Sequence, residues 1–185
     1  RGWHAVSLAD IATRAGVSFV ELHERFDGKA DIFKAFLDQL DDALWNGELP
    51  PGEEAERDRL FDVIMRRFDA MQPHKAGIRA IVRGSMVDPW MLLCGAPRLL
   101  LTAALMLEIA GISATGPLGR LKAKGLAAVF LAASRVWMND DSPDMAKTMV
   151  ALDRSLRRAE SLMTFVRRDR HKGSYSDSDK AEYRA

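Results

Sequence analysis

The fold of this chain is decided by residues 6–18, which run Val-Ser-Leu-Ala-Asp-Ile-Ala-Thr-Arg-Ala-Gly-Val-Ser. Ser7 is a residue type that caps helix N-termini, so the pattern predicts a short helix over Leu8–Ala15. Gly16 follows that helix and can adopt the left-handed conformation that ends it. The stretch therefore predicts one short helix closed by a tight glycine turn.

A second short helix is predicted directly after the turn. Ser18 and Glu21 stand three residues apart, which is the spacing of a capping box, and the helix is expected from Phe19 to about Phe26. Val17 is predicted to fill the angle between the two helices. The pair indicates a helix-turn-helix, which sets its second helix into the major groove of DNA, although an ordinary helical hairpin remains the alternative.

The charge of this N-terminal segment conflicts with DNA binding. Residues 1–48 contain five basic and nine acidic side chains, a net charge of −4, and the second helix carries Glu21 and Glu24 against Arg25. Recognition helices gain affinity by neutralising phosphates with Lys or Arg, and an acidic surface repels DNA. Glu21 is either a capping residue or an acceptor for a cytosine amino group.

Two further residues have open alternatives. Lys29, at the start of the next helix, either reaches a phosphate or is a solvated surface lysine. His23 either touches a base or the DNA backbone, or lies half-buried against Phe26. The residues that we predict to face DNA are Ser18, Phe19, Glu21, His23 and Lys29.

Composition limits the remaining function classes. The chain has 185 residues, of which 48% are hydrophobic, and its net charge of +1 gives no global argument for nucleic acid or membrane. The single cysteine, Cys94, and the absence of a leader sequence favour the cytoplasm. No metal-ligand spacing, phosphate loop or nucleophile motif occurs, so we predict no metal, no cofactor and no catalytic residues.

Helical periodicity recurs along the whole chain, and no strand-like alternation is found, which predicts an all-α fold. Pro and Gly residues between 46 and 52 mark a boundary between two domains. Ala96-Pro97 is expected to divide one apolar helical segment, and Gly111 to Gly119 is expected to be a loop. The predicted domains are 1–47 with the helix-turn-helix, 56–166 with the larger helical domain, and 167–185 as a polar tail.

Bulky apolar side chains are concentrated in the larger domain. They either fill its core or line a cavity for a hydrophobic ligand, for which adaptable Met and Trp side chains are suited. The predicted pocket residues are Trp90, Met91, Leu101, Leu105, Met106, Phe130 and Trp137. In the final helix, apolar residues spaced by three and four form a narrow seam of the kind used between packed helices.

The N-terminal segment resembles the DNA-binding domain of the TetR family of bacterial regulators. The positions that match are Ile11-Ala12, Ala15-Gly16-Val17-Ser18, Leu22, Phe26 and Lys29. This resemblance implies an all-helical homodimer whose ligand pocket changes the spacing of two DNA-reading headpieces. The dimer would form through the last two helices, with Met149, Leu152, Leu156 and Phe165 at the interface.

The chain departs from that family in three ways. His23 stands where the family usually has tyrosine, and Glu21 stands where it usually has a small hydroxyl residue that touches phosphate. The chain also begins where the family's first helix should be ending, so that helix is expected to be absent from it.

The larger domain is similar to a second family, the lipid-binding accessory protein of ubiquinone biosynthesis. The residues that carry this similarity include 68–74, 141–145 and 152–156. That family shares the TetR-type fold and presents an isoprenoid-like lipid to a hydroxylase instead of binding DNA. Two functions are therefore expected: a DNA-binding regulator that senses a small hydrophobic ligand or, as the alternative, a lipid-presenting factor that has lost DNA binding.

Overall fold

The structure is a computed structural model that describes residues 3–47, 53–85 and 89–162, without the side chains of residue 4 and residues 85–94. Throughout these ranges the regular elements are helical, which confirms the predicted all-α fold. Short 3-10 turns lie at Trp3–Ala5 and Gln72–His74. The helices are α1 (Leu8–Ala15), α2 (Phe19–Arg25), α3 (Lys29–Trp45), α4 (Glu56–Met71), α5 (Lys75–Ser85), α6 (Pro89–Ile109), α7 (Gly116–Trp137) and α8 (146–162).

The chain forms two compact units, one of residues 1–124 and one of residues 125–185. The first unit contains α1 to α6 and the beginning of α7. Its N-terminal segment packs on the rest of the unit through α3, which contacts α4 and α6, and through the turn at Trp3–Ala5, which contacts α5. The domain boundary expected between residues 47 and 56 stays a prediction.

The interior of the first unit is built from α4 and α6. Val63, Ile64 and Phe68 of α4 are fully buried, as are Ala103 and Met106 of α6. Their spacing of three and four residues places each set on one helix face, so the apolar stripes of the two helices supply the core. This core is the base on which α3 is held.

The expectation that Pro97 divides its segment is wrong, because α6 continues from Pro89 to Ile109 with Pro97 inside. An interior proline removes one hydrogen bond and strains the preceding turn, but it need not end a helix that packing stabilises. Residues 95–97 are exposed, and Leu107 and Ile109 on the C-terminal side are buried, so packing of the part after Pro97 can hold the helix together.

The loop expected from Gly111 to Gly119 is shorter than predicted, because α7 begins at Gly116. Gly119 lies in the first turn of α7, where its amide donates to the carbonyl of Thr115. A Cβ at Gly119 would collide with the backbone of Ala114. Glycine therefore lets the loop fold back tightly onto the start of the helix.

A buried carboxylate organises the turn between α7 and α8 in the second unit. Asp140 is fully buried, and its two oxygens accept hydrogen bonds from the amides and hydroxyls of Ser142 and Thr148. Met145, just before α8, has a left-handed φ of 52° that this network holds in place. The Ser142 hydroxyl also accepts a hydrogen bond from the Ala146 amide at the start of α8.

Burial alone would raise the pKa of Asp140, but the hydrogen bonds from Ser142 and Thr148 outweigh it and hold this pKa well below its ordinary value. A lowered folded-state pKa stabilises the fold above the ordinary Asp pKa of about 3.9, and this contribution is lost as pH falls below it. The second unit should therefore depend on the ionised form of Asp140.

We expect Asp140→Asn to lower the free energy of unfolding by about 2 kcal/mol at pH 7, because charged acceptor bonds to buried donors are lost. The difference from the unchanged protein should shrink as pH falls below about 4. Urea unfolding at several pH values measures both effects, and Asp141→Asn, at the exposed neighbour, is the matched control. A difference that stays constant down to pH 3 would contradict this account.

Candidate nucleic-acid interface

The first helix of the candidate interface is closed at both ends by local hydrogen bonds. The Ser7 hydroxyl accepts from the Asp10 amide at 3.1 Å, and the Asp10 carboxylate accepts from the Ser7 amide at 2.8 Å. Gly16 ends α1 with φ 71° and ψ 25°, and its amide donates to the last turn. The predicted helix Leu8–Ala15 and its glycine end are confirmed residue for residue.

The predicted capping box of α2 is also confirmed. The Ser18 amide donates to the Glu21 carboxylate at 2.9 Å, and the Glu21 amide donates to the Ser18 hydroxyl at 3.2 Å. Hydrogen bonds from the backbone and the side chain of Ser18 to the Glu21 carboxyl hold its pKa below the ordinary value. One carboxylate oxygen of Glu21 is therefore hydrogen-bonded at the N-terminal end of α2. A negative charge at this end also interacts favourably with the helix dipole.

The outer face of α2 carries two large apolar side chains among its polar ones. Val20 is 64% exposed and Phe19 is 50% exposed, and the Phe19 ring stacks on the His23 ring with centroids 5.8 Å apart. Leu22 is the buried residue of this helix. His23 is therefore exposed beside Phe19, which differs from the half-buried alternative against Phe26.

Sequence reasoning missed Val20 as a residue of this surface. The signal was available, because Val20 lies two positions before the buried Leu22 and so points away from it on a helix. Val17 was predicted to fill the angle between the helices, but its side chain is 42% exposed, and Ala12 and Leu22 are the buried residues there. An apolar rim of Val17, Phe19 and Val20 results.

The Lys29 side chain is engaged within the N-terminal segment. Its ammonium donates to the carbonyl of Trp3 at 2.9 Å and to the carbonyl of Val6 at 2.8 Å. It also lies 5.2 Å from the centre of the Trp3 ring, within the range of a cation–π contact. Lys29 therefore ties the residues before α1 to the start of α3, and two of its three donors are occupied.

The residues predicted to line a ligand pocket lie in different surroundings. In the first unit Met106 is fully buried, whereas Leu101 is 64% exposed and so faces away from the interior. In the second unit Phe130 and Trp137 are buried. Leu105 is half-buried, and the side chains of Trp90 and Met91 lie outside the described residues.

Two of the four residues predicted for the dimer seam are buried within a single copy of the chain. Leu152 and Leu156 are buried within a single copy, so they belong to its own core and have little surface left for a partner. Met149 is half-buried, and Phe165 lies outside the described residues. The exposed apolar side chains of the second unit are instead Leu131 of α7 with Val150 and Leu162 of α8.

Neither a metal site nor a membrane-spanning helix is found in the described ranges. No group of three or more His, Cys, Asp or Glu side chains is placed there to hold a metal ion. None of the helices in those ranges is both long enough and apolar enough to cross a membrane.

Comparison with known proteins agrees with this geometry. Residues 1–36 match the family model described as bacterial regulatory proteins, tetR family. The HTH-type transcriptional activator FasR of Mycolicibacterium smegmatis (strain ATCC 700084 / mc(2)155) is 29% identical over 153 residues, which are 77% of this chain and 68% of that protein.

A solved structure shares the fold. The crystal structure of the TetR transcriptional regulator from Nitrosomonas europaea ATCC 19718 has a TM-score of 0.70 and 24% identity, and the match covers 85% of this chain and 88% of that one. The chain therefore has the TetR-type all-α fold. The similarity of the larger domain to the lipid-binding accessory protein stays a prediction.

We expect Lys29→Met to lower the free energy of unfolding by about 2 kcal/mol, because two charge-assisted bonds to carbonyls are lost. Lys34→Met is the matched control on the same helix, since Lys34 only forms an exposed pair with Asp38, and it should change stability by less than about 0.5 kcal/mol. Chemical unfolding measures both variants. Equal effects would show that Lys29 does not anchor the N-terminal segment.

Proposed function

We propose that the chain is a transcriptional regulator of the TetR type that binds DNA as a homodimer, in keeping with the match of residues 1–36 to the model of tetR-family bacterial regulatory proteins. The observation that carries this proposal is the capped α1–α2 pair, which presents one face of α2 to solvent while Leu22 is buried behind it. Such a pair fits the major groove, which admits one α-helix.

The proposed reading surface of α2 combines two apolar side chains with polar ones. Phe19 and Val20 offer methyl and ring surface that complements the thymine C5-methyl group, and His23 beside them offers a ring nitrogen to a base edge. Glu24 is exposed on the same helix and can accept from a cytosine amino group. Of the residues first predicted to face DNA, Ser18 and Glu21 support the surface by capping it.

Few cations accompany this surface. Arg14 and Arg25, at the ends of α1 and α2, are exposed, whereas Lys29 is engaged with backbone carbonyls. Each phosphate contact contributes about −0.9 to the slope of log affinity against log salt. We propose that sequence-specific contacts supply an unusually large share of the affinity here.

Selection from genomic fragments at low and moderate salt tests the regulator directly. We expect an enriched two-fold-symmetric site and a salt slope of about −4, since two exposed arginines per headpiece allow about four phosphate contacts in a dimer. Val20→Ser should weaken the selected site more than random DNA, because Val20 touches bases in the proposal. Leu118→Ser, at an exposed leucine in the first turn of α7 that belongs to the first unit, is the control and should leave both unchanged.

Two outcomes of that selection would count against the proposal. Absence of any enriched sequence at low salt would remove the DNA-binding function. Equal weakening of specific and random DNA by Val20→Ser would show that α2 does not read bases. Both results can be obtained with the same purified protein.

We propose that the dimer forms through exposed faces of α7 and α8, the last two helices before residue 163. The apolar side chains available there are Leu131, Val150 and Leu162, whereas Leu152 and Leu156 are already covered by their own chain. A two-fold axis would bring each face against its copy, as in the four-helix interface that the family resemblance implies.

Sedimentation equilibrium tests this interface. We expect Leu131→Glu or Val150→Glu to raise the dimer dissociation constant by about tenfold or more, because a charge would be buried against an apolar partner face. Leu101→Glu changes an equally exposed leucine of the first unit and should leave the constant unchanged. A dimer that tolerates both glutamates and fails with Leu101→Glu would move the interface to α6.

We further propose that a small hydrophobic ligand regulates DNA binding. Of the residues predicted for its pocket, Leu105 and Met106 of the first unit are enclosed enough for this role, whereas Leu101 is too exposed. Trp90, Met91, Phe130 and Trp137 stay predictions. The lipid-presenting alternative is favoured by the engagement of Lys29 away from solvent. Co-purified isoprenoid lipid in native mass spectrometry, together with no enriched DNA, would establish that alternative.

A further inference from the structure

Three helices of the first unit meet at one carboxylate. Asp41, in the C-terminal half of α3, accepts hydrogen bonds from the guanidinium groups of Arg67 on α4 and Arg98 on α6. The hydroxyl of Thr102, one turn further along α6, donates to the same carboxylate at 3.1 Å. We call these four residues the Asp41 cluster.

The Asp41 cluster is largely removed from solvent. The side chain of Arg67 is 3% exposed and that of Asp41 is 13% exposed, while Arg98 lies further out and also pairs with Asp38 at 2.8 Å. Burial lowers the pKa of the Arg67 guanidinium, and the charge of Asp41 acts against this shift. Because neither charge can be hydrated in place, the cluster has little tolerance for intermediate geometries.

α3 connects this cluster mechanically to the DNA-reading helices. Lys29 at the first turn of α3 holds the residues before α1, and Asp41 lies twelve residues later, about 18 Å along a straight helix. A rotation of α3 about its far end would therefore be amplified at α1 and α2. Two further contacts hold the headpiece on the body: the Phe36 ring packs edge-on against His74 with centroids 5.0 Å apart, and the Trp3–Ala5 turn packs on α5. Neither contact carries the charge and hydrogen-bond geometry of the Asp41 cluster.

We propose that the Asp41 cluster sets the angle of the headpiece, defined as residues 3–47, against α4 and α6. In this role Asp41 is a positioning residue: it touches no DNA but fixes the distance between the two recognition helices of a dimer. This inference rests on the proposed function and specifies how DNA binding is controlled. Loss of either Arg67 or Arg98 as a partner of Asp41 would therefore release the headpiece from this angle.

Binding to operators with altered half-site spacing tests the cluster. Duplexes carrying the selected half-sites are compared at the selected spacing and with one or two base pairs added or removed. We expect the unchanged protein to prefer one spacing by about tenfold or more, and Asp41→Asn to reduce that preference to less than about threefold, since coupling energies of this kind correspond to 5–150-fold effects. Asp42→Asn, at the exposed neighbouring carboxylate, should retain the preference.

A merely structural role predicts a different result. In that case Asp41→Asn would weaken binding equally at every spacing, and this outcome overturns the proposal. Arg98→Leu serves as a second, milder variant. It removes the ion pair between α6 and Asp41, while the buried Arg67–Asp41 pair stays intact. It should also broaden the spacing profile in a protein whose unfolding midpoint confirms that it is folded.

A distance measurement makes the test independent of DNA binding. Spin labels at Ala9→Cys and Asp62→Cys, both at exposed positions, report the separation of headpiece and α4 within one chain, in a Cys94→Ser background diluted with unlabelled protein. We expect a single narrow distance distribution that Asp41→Asn or Arg98→Leu broadens and Asp42→Asn does not. An unchanged distribution overturns the proposal even if the protein binds no DNA, whereas broadening without DNA binding removes only the proposed function.

Discussion

The shared carboxylate of Asp41 is the interaction on which the arrangement of the first unit depends. Two arginines from α4 and α6 converge on it, and one of them, Arg67, is almost fully buried. Removing one partner of a buried ion pair typically costs about 3–5 kcal/mol, whereas replacing the whole cluster by apolar residues is often neutral. The cluster therefore contributes orientation more than net stability, and orientation is what a DNA-reading headpiece requires.

Three charged side chains near α2 form hydrogen bonds within the protein. Glu21 caps α2 through Ser18, Asp10 caps α1 through Ser7, and Lys29 binds two carbonyls. The net charge of −4 over residues 1–48 thus overstates the negative charge that DNA would meet at the reading surface. The long-range repulsion between this net charge and DNA persists, however, because capping does not neutralise a carboxylate. Association should consequently be slow and should gain little from electrostatic steering.

Local signals explain which parts of the fold could be predicted from the sequence. The ends of α1 and α2 were predicted correctly because their caps involve residues three positions apart, as with Ser18 and Glu21. Pro97 was misjudged because its effect on α6 depends on packing further along the helix. Periodicity likewise identified the apolar positions of α8, but it could not distinguish a seam for a second copy from a seam for the same chain, and Leu152 proved to be internal.

The polar clusters could not be predicted, because their partners are distant in sequence or hidden in composition. Asp41 and Arg98 are 57 residues apart, and each looks like a solvated side chain on its own helix. Asp140 lies in a polar stretch of sequence, 139–144, and yet it is fully buried. Only tertiary structure shows that these carboxylates are enclosed, since an isolated charge in a sequence carries no information about its burial.

A weakly charged reading surface and a fixed headpiece angle are physically linked. A protein that binds mainly through phosphates can slide and adapt, because such contacts depend little on sequence or on exact placement. An apolar surface such as Phe19 with Val20 gains energy only when thymine methyl groups lie within contact distance, so it requires both headpieces to be placed within a few tenths of an ångström. The fewer phosphate contacts the headpiece makes, the more its affinity depends on the angle that Asp41 sets. Small movements of α6 could then switch DNA binding off without any change at α2 itself.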